Sequence, residues 1–490
     1  MLKKSLICFS LISLLLLKQF CLYNKGFYTP HLFIDFAVFL SLYPLLGLLG
    51  LLIWQYFGRW RYPVFFVVIL WAWNILIPYA LKRLELPPFP LISIYISGTL
   101  ALAFWFIFHR SSFIRVACKG LLIIAPLFLV LWASIFTKVL YLPKKTANLE
   151  LASPTKKRLF VVLFDEWDSA LTQAAFLPNI QDFASHSFIA KNAYPAGTDT
   201  AYSITSMTTG ARIGGVTCRN GKWELHPLDG KSFFWNQSGN SLFSDLSERG
   251  LTQAAVGGLL GDYQRIFTSY LTHFDFEHEP ISQMYFEELK KTASLFIPSL
   301  KHGLFSQLAK GCAIQHYKRE VASLIRFAQD PNINFCFAHL QGAHHPSCYD
   351  RKKEDFKLFQ KHFSYFDSLA LIDKTIGYLK QKLQEAGLWD DTTIILTSDH
   401  WWRIYAAKAQ QIPLLDSEWA YREEIDHRVP FIIKLAGEDR RFEFEEECSN
   451  SILRKLVNAF FDGQIVNNEE LALFFSSQKI DIEKWADLKY

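Results

Sequence analysis

Hydrophobic positions follow two regimes along the chain. Up to about residue 142 they form long runs, near 5 to 23, 32 to 57, 63 to 81, 90 to 108 and 120 to 142. At roughly 1.5 Å of rise per residue, each is wide enough to cross an apolar bilayer core of about 30 Å as a helix. From Arg158 onward the runs are short: LFVVLF at 159 to 164, INFCFAHL at 333 to 340, TTIILTS at 392 to 398 and VPFIIKL at 429 to 435. Helix-period segments such as FDSLALIDKTIGYLKQKLQEAG at 366 to 387 stand between them. Short apolar strands alternating with amphipathic helices predict an α/β domain with a largely parallel central sheet. The stretch PKKTANLELASPTKK loses the apolar run and carries Pro, Ser and Lys, so it reads as a linker or juxtamembrane helix. The expected organisation is a membrane region of about five transmembrane helices at 1–142, a linker at 143–157 and an α/β domain at 158–490.

Charge orients this arrangement. Residues 1 to 157 hold 16 Lys+Arg against Asp35, Glu85 and Glu150, a balance of +13, and the remaining 35 Lys+Arg against 43 Asp+Glu give −8. An acidic main domain argues against a nucleic-acid partner. Lys3, Lys4, Arg59, Arg61, Arg110, Arg115 and Lys119 fall on one side of the predicted spans, and Lys25, Lys82 and Arg83 on the other. The richer side is cytoplasmic by the positive-inside rule, so an odd number of spans places everything after about 143 outside the cytoplasm. Leu6 to Leu17 is short and Lys18 interrupts it, which leaves a signal-peptide core as the alternative for the first run, although no small-residue cleavage site follows. The hydrophobic fraction of 51% and mean hydropathy of +0.12 exclude disorder and small disulfide scaffolds. Five of eight cysteines (Cys218, Cys312, Cys336, Cys348, Cys448) lie after residue 158, without CxxC spacing.

Ligands of α/β sheets gather at the carboxyl ends of strands. LFVVLF runs into Asp165, Glu166 and Asp168; INFCFAHL into His344 and His345; TTIILTS into Asp399 and His400. Carboxylates with an imidazole form a mixed O/N set that suits Zn²⁺ or Mn²⁺ better than Ca²⁺. Each piece alone is equally a helix cap or turn residue. GTDTAYSITSMTTG at 197 to 210 is a Gly-led, hydroxyl-rich loop running into a helix start, either a plain capped helix or a nucleophile activated by metal and helix dipole.

The order VVLFDE, LPNIQDFASHSFIAKNAY, GTDTAYSITSMTTG, HLQGAHHP and LQEAGLWDDTTIILTSDH resembles the alkaline phosphatase/sulfatase superfamily over about 158 to 435. GTDTAYS with GAHHP looks most like the membrane-bound phosphoethanolamine transferases, with lipoteichoic acid synthases next. The resemblance implies a sulfatase/alkaline-phosphatase-like domain. It places Thr200 at the nucleophile, Asp165 (with Glu166 as neighbour or substitute), Asp399, His400 and Thr200 at the metal, and His344 at the phosphoryl oxygen or leaving group. His427, before VPFIIK, is the weaker candidate for a second substrate-binding histidine. Departures are visible: Ala196 and Ser206 stand where such transferases tie the nucleophile loop with a disulfide, and Trp401 and Trp402 follow the Asp-His pair where Gly is usual. The tryptophans either line an amphiphile-binding cleft or pack in a core.

The expectation is an inner-membrane, multi-pass metalloenzyme with an extracytoplasmic catalytic domain and one or two divalent ions, zinc favoured over manganese or magnesium. It would move a phospho-alcohol group, phosphoethanolamine in the first instance, from a phospholipid donor to an envelope lipid or glycan through a phospho-threonine. A hydrolase of phosphate or sulfate esters in the same fold, and a non-catalytic sensor of envelope ligands, are the alternatives.

Overall fold

The computed structural model describes residues 155–478, with breaks at 220–221, 236–238, 258–269, 276–303, 345–347, 358–363, 406–415 and 424, and a few isolated positions between 112 and 126. The chain divides into two units, Met1–Leu142 and Pro143–Tyr490. Among the described residues no helix is long and apolar enough to cross a membrane. The five expected spans, apart from Ile123 and Pro126, and most of the expected linker lie outside the described residues.

In chain order the second unit contains β1 (Arg158–Phe164), α1 (Ser169–Ala174), α2 (Pro178–Ser185), β2 (Phe188–Tyr194), α3 (Thr200–Thr209), β3 (Ile213–Arg219), β4 (Lys222–Pro227) and β5 (Phe233–Phe234). It continues with α4 (Leu242–Glu248), β6 (Gln253–Val256), β7 (His273–Asp275), α5 (Leu304–Gln329), β8 (Phe335–Leu340), β9 (Tyr349–Asp350), β10 (Asp355–Phe356), α6 (Tyr365–Glu385) and β11 (Thr392–Ser398). The last elements are α7 (Asp416–Trp419), β12 (Phe431–Lys434), β13 (Phe442–Ser449), α8 (Leu453–Phe461) and α9 (Asn468–Ser477).

A strand such as RLFVVLF has no polar face and is stable only with both faces covered. β1 is accordingly buried throughout and lies inside an eight-stranded sheet of order β13-β2-β12-β11-β1-β8-β6-β7. β1 pairs in parallel with β11 and β8, β8 with β6, β6 with β7, and β13 with β2, whereas β12 runs antiparallel to both its neighbours. The VPFIIKL run is thus a strand, shortened to Phe431–Lys434 and opposed in direction. The expected largely parallel α/β sheet is present. INFCFAHL is also trimmed at its start, where Asn334 turns its side chain to the Thr252 amide and the Thr155 carbonyl.

Side-chain alternation along β1 decides which face holds chemistry. Phe160, Val162 and Phe164 join a hydrophobic core with Ile180 and Phe183 of α2, Leu324 and Phe327 of α5, and Leu369, Ile372, Ile376 and Leu383 of α6. Burial of such side chains stabilises by roughly 1.5–3 kcal/mol each. Leu159, Val161 and Leu163 face the opposite side, and Asp165 continues that odd-numbered series.

Candidate active site

Sheet register assembles the site. Leu163 pairs with both Thr397 and His339, and Phe164 with both Ser398 and Leu340. Two-residue alternation therefore puts His339, Thr397 and, one step on, Asp165 and Asp399 on one face at the carboxyl edge. Asp165, Asp399 and His400 come together there, each at most 1% exposed, with one donor atom of each within 4.8 Å of the others. His400 Nε2 lies 3.4 Å from Asp165 Oδ1 and 3.5 Å from Asp399 Oδ2. His339 Nε2 lies 3.6 Å from the same Asp399 oxygen.

The strand ends are held rigidly. The Ser398 hydroxyl accepts from the Trp167 amide at 2.8 Å and lies 2.7 Å from the carbonyls of Phe164 and His400. Asn450 donates to the Ser398 carbonyl at 2.7 Å.

Thr200 arrives from β2 by a short loop. Asp199 caps α3, its carboxylate accepting from the amides of Ala201 and Tyr202 at 2.9 and 3.1 Å. The Thr200 hydroxyl donates to Asp399 Oδ2 at 2.7 Å. Gly197 is required by space: a Cβ there would stand 2.8 Å from the Ser203 amide nitrogen. At the other end Gly210, at φ 71°, closes the helix by donating to the Ser206 carbonyl. Where a disulfide was considered for related transferases, the Ser206 hydroxyl here accepts from the Ile213 amide at 3.1 Å.

Glu166 follows Asp165 but takes another partner. Its backbone sits at φ 60°, its amide donates to Asp399 Oδ1 at 3.2 Å, and its carbonyl accepts from the Tyr365 hydroxyl at 2.6 Å. Its carboxylate accepts from Nε and Nη2 of Arg403 at 3.1 and 2.9 Å.

Electrostatics and tautomer test whether a cation fits. Burial, followed by the charges of Asp399 and Glu166, pushes Asp165 well above the usual carboxylate range. Burial pushes Asp399 up as well, but His400, His339 and Thr200 outweigh it and hold the group below its ordinary value. His400 Nδ1 lies 3.0 Å from the Trp401 carbonyl, which can only accept. In the neutral ring the proton therefore sits on Nδ1, and Nε2 turns its lone pair toward two carboxylates. Asp165 Oδ1 and His400 Nε2 have no hydrogen-bond partner among the described residues. Such buried, mutually repelling acceptors are stable with a cation among them. Two carboxylates, an imidazole and a hydroxyl fit a transition-metal dication.

Among the described residues, neither His344 nor His427 belongs to the set of mutually close donors. His344 is half-buried in the turn after β8, its amide donating to the Gln341 carbonyl at 3.1 Å, while His345 lies outside the described residues. His427 is half-buried at φ 65°, its ring 4.4 Å from that of Trp401, and burial lowers its pKa against the opposing charge of Asp426. Trp401 and Trp402 are both buried, Trp402 stacked on Tyr365 at 4.3 Å, so they are packing residues and not the walls of an open cleft. Cys336 and Cys448 are buried free thiols, and Cys348 is buried. His339 and Arg403 escaped the sequence reading. The available signal for His339 was an imidazole inside an otherwise apolar, fully buried strand; Arg403 gave none, because its partner is 237 positions away.

Comparison with known proteins identifies the architecture. The family model described as Sulfatase matches residues 164–452, more than half of the chain. No curated protein matches in sequence. Among solved structures, a protein of the alkaline phosphatase superfamily from Vibrio parahaemolyticus is 17% identical, with TM-score 0.40, over 63% of this chain and 67% of its own. Lipoteichoic acid synthase LtaP from Listeria monocytogenes is 14% identical, with TM-score 0.38, over 64% and 74%. Murine ectonucleotide pyrophosphatase/phosphodiesterase 5 is 14% identical, with TM-score 0.37, over 62% and 95%. The matched segment opens on the last residue of β1 and carries Asp165, Thr200, Asp399 and His400 in order, and the chain belongs to the Sulfatase family.

Proposed function

We propose that the chain is a metal-dependent enzyme that moves a phospho-alcohol group, phosphoethanolamine in the first instance, from a membrane phospholipid to an envelope lipid or glycan. The observation that carries the reading is the Thr200 hydroxyl, set at the start of α3 and hydrogen-bonded at 2.7 Å to Asp399 of the buried cluster. A hydroxyl so placed is a nucleophile held beside its activator. Threonine also decides against the sulfatase reaction, since the formylglycine aldehyde arises from Cys or Ser and cannot form on a side chain with a methyl at Cβ.

Asp165, Asp399, His400 and Thr200 would hold the ion. When bound, it lowers the pKa of the hydroxyl and neutralises charge on phosphoryl oxygens. The chain's own residues do the rest. Asp199 fixes the first turn of α3 so that Thr200 Oγ1 points at the cluster and the positive helix end faces the incoming phosphate. Oγ1 gives up its proton to bulk water and attacks phosphorus in line, the bond from phosphorus to the diacylglycerol oxygen breaks, and His344 is assigned to give that oxygen its proton. The phospho-threonine is then attacked by an acceptor hydroxyl that returns its proton to His344; the phosphorus bond to Thr200 Oγ1 breaks and Oγ1 regains a proton from water, which completes a ping-pong cycle.

A chromogenic nitrophenyl phosphodiester and the corresponding nitrophenyl sulfate separate the chemistries. The full-length chain is expected to cleave the phosphodiester in a chelator-sensitive manner and to leave the sulfate at the level of Thr200→Ala. Sulfate turnover above that level, or phosphodiester turnover undiminished in Thr200→Ala, would contradict the proposal.

A further inference from the structure

Three carboxylates, those of Asp165, Glu166 and Asp399, are essentially excluded from solvent at the end of the sheet. Ionised around a single dication they would carry three negative charges against its two, leaving one uncompensated. Arg403 supplies that charge. Both Nε and Nη2 are spent on one oxygen of Glu166, and the arginine side chain is 28% exposed where that of Glu166 is 1% exposed. Glu166 is thus held at its amide by Asp399, at its carbonyl by Tyr365 and at Oε1 by Arg403. It holds a left-handed backbone conformation that is costly for a non-glycine residue. Its carboxylate stays out of the set of mutually close donors formed by Asp165, Asp399 and His400.

From this geometry we infer that Arg403 is a positioning residue that stands in for a second cation and keeps the centre at one metal ion by withholding Glu166 from coordination. Freed of Arg403, Glu166 is a buried anion next to Asp165 and takes up a second divalent ion with it. The inference rests on reading the Asp165, Asp399 and His400 cluster as a metal centre.

The test is ion stoichiometry, which a merely structural ion pair would leave unchanged. The full-length chain is stripped with chelator and dialysed against Mn²⁺, an ion that carboxylate sites take up while stray thiols compete for it poorly. Bound manganese is then counted by elemental analysis. The expected counts are one ion for wild type and Arg403→Lys, two for Arg403→Met, and one again for Arg403→Met combined with Glu166→Gln. No ion in wild type sinks the metal reading itself; one ion in wild type with any count other than two in Arg403→Met overturns the role of Arg403 alone, as do two ions in wild type. If Arg403→Met does not fold, Glu166→Gln decides: retention of one ion supports the assignment, and its loss makes Glu166 a ligand and overturns it.

Discussion

Asp168 has more to lose than to gain by ionising. It is fully buried, and burial, with a smaller contribution from Asp426, raises its pKa to about 7 even though the Leu171 amide it caps favours the charged form. A carboxylate that titrates higher in the folded than in the unfolded chain binds its proton more tightly when folded. Its contribution to stability is complete below the ordinary value of 3.8 and is lost as pH rises through about 7. Asparagine keeps the capping acceptor and cannot ionise. Asp168→Asn is therefore expected to melt above wild type at about pH 8, with the gap narrowing as pH falls and closing near pH 4. Thermal melts of the two proteins across that range check it; a gap that does not change with pH would show that Asp168 titrates alike in the folded and unfolded chain and would contradict the raised pKa.

Elements place what residues supply, and α3 is where this matters most. Asp199 satisfies two amides of its first turn, so Asp199→Ala should cost about 1 kcal/mol of stability. It should also release Thr200 from its aim at Asp399 and reduce kcat far more than a stability loss of that size explains, whereas Asp199→Asn should restore both. A kcat unchanged in Asp199→Ala would separate the cap from the chemistry. Much of this scale was legible in the sequence, because LFVVLF and TTIILTS show their strands by apolar content alone and each hands over directly to a carboxylate. What the sequence could not show was pairing. That β1 lies between β11 and β8, in a register that sets Asp165 beside Asp399 and brings His339 to the same face, depends on long-range packing. Arg403 was hidden for the same reason: its partner is set by how the Asp-His loop folds back over Glu166, and local pattern carries no trace of that. Glu166 itself was readable as a carboxylate but not as one already spoken for.

At the scale of the whole molecule, the proposal needs the donor lipid and the site on the same side of a membrane. Under it, the five apolar runs and the Lys/Arg bias of their loops are expected to set the domain outside the cytoplasm. A reporter fused after Lys157 is expected to be active only outside the cytoplasm, and one fused after Arg59 only inside. A cytoplasmic reading at Lys157 would remove both the five-span arrangement and the envelope substrate. The central claim, transfer through Thr200, is tested most directly by the intact mass of the full-length, metal-loaded chain after incubation with phosphatidylethanolamine and no acceptor. The account predicts a phosphoethanolamine adduct mapped to Thr200 and absent from Thr200→Ala; lipid turnover without any adduct, or an adduct that persists in Thr200→Ala, would contradict it.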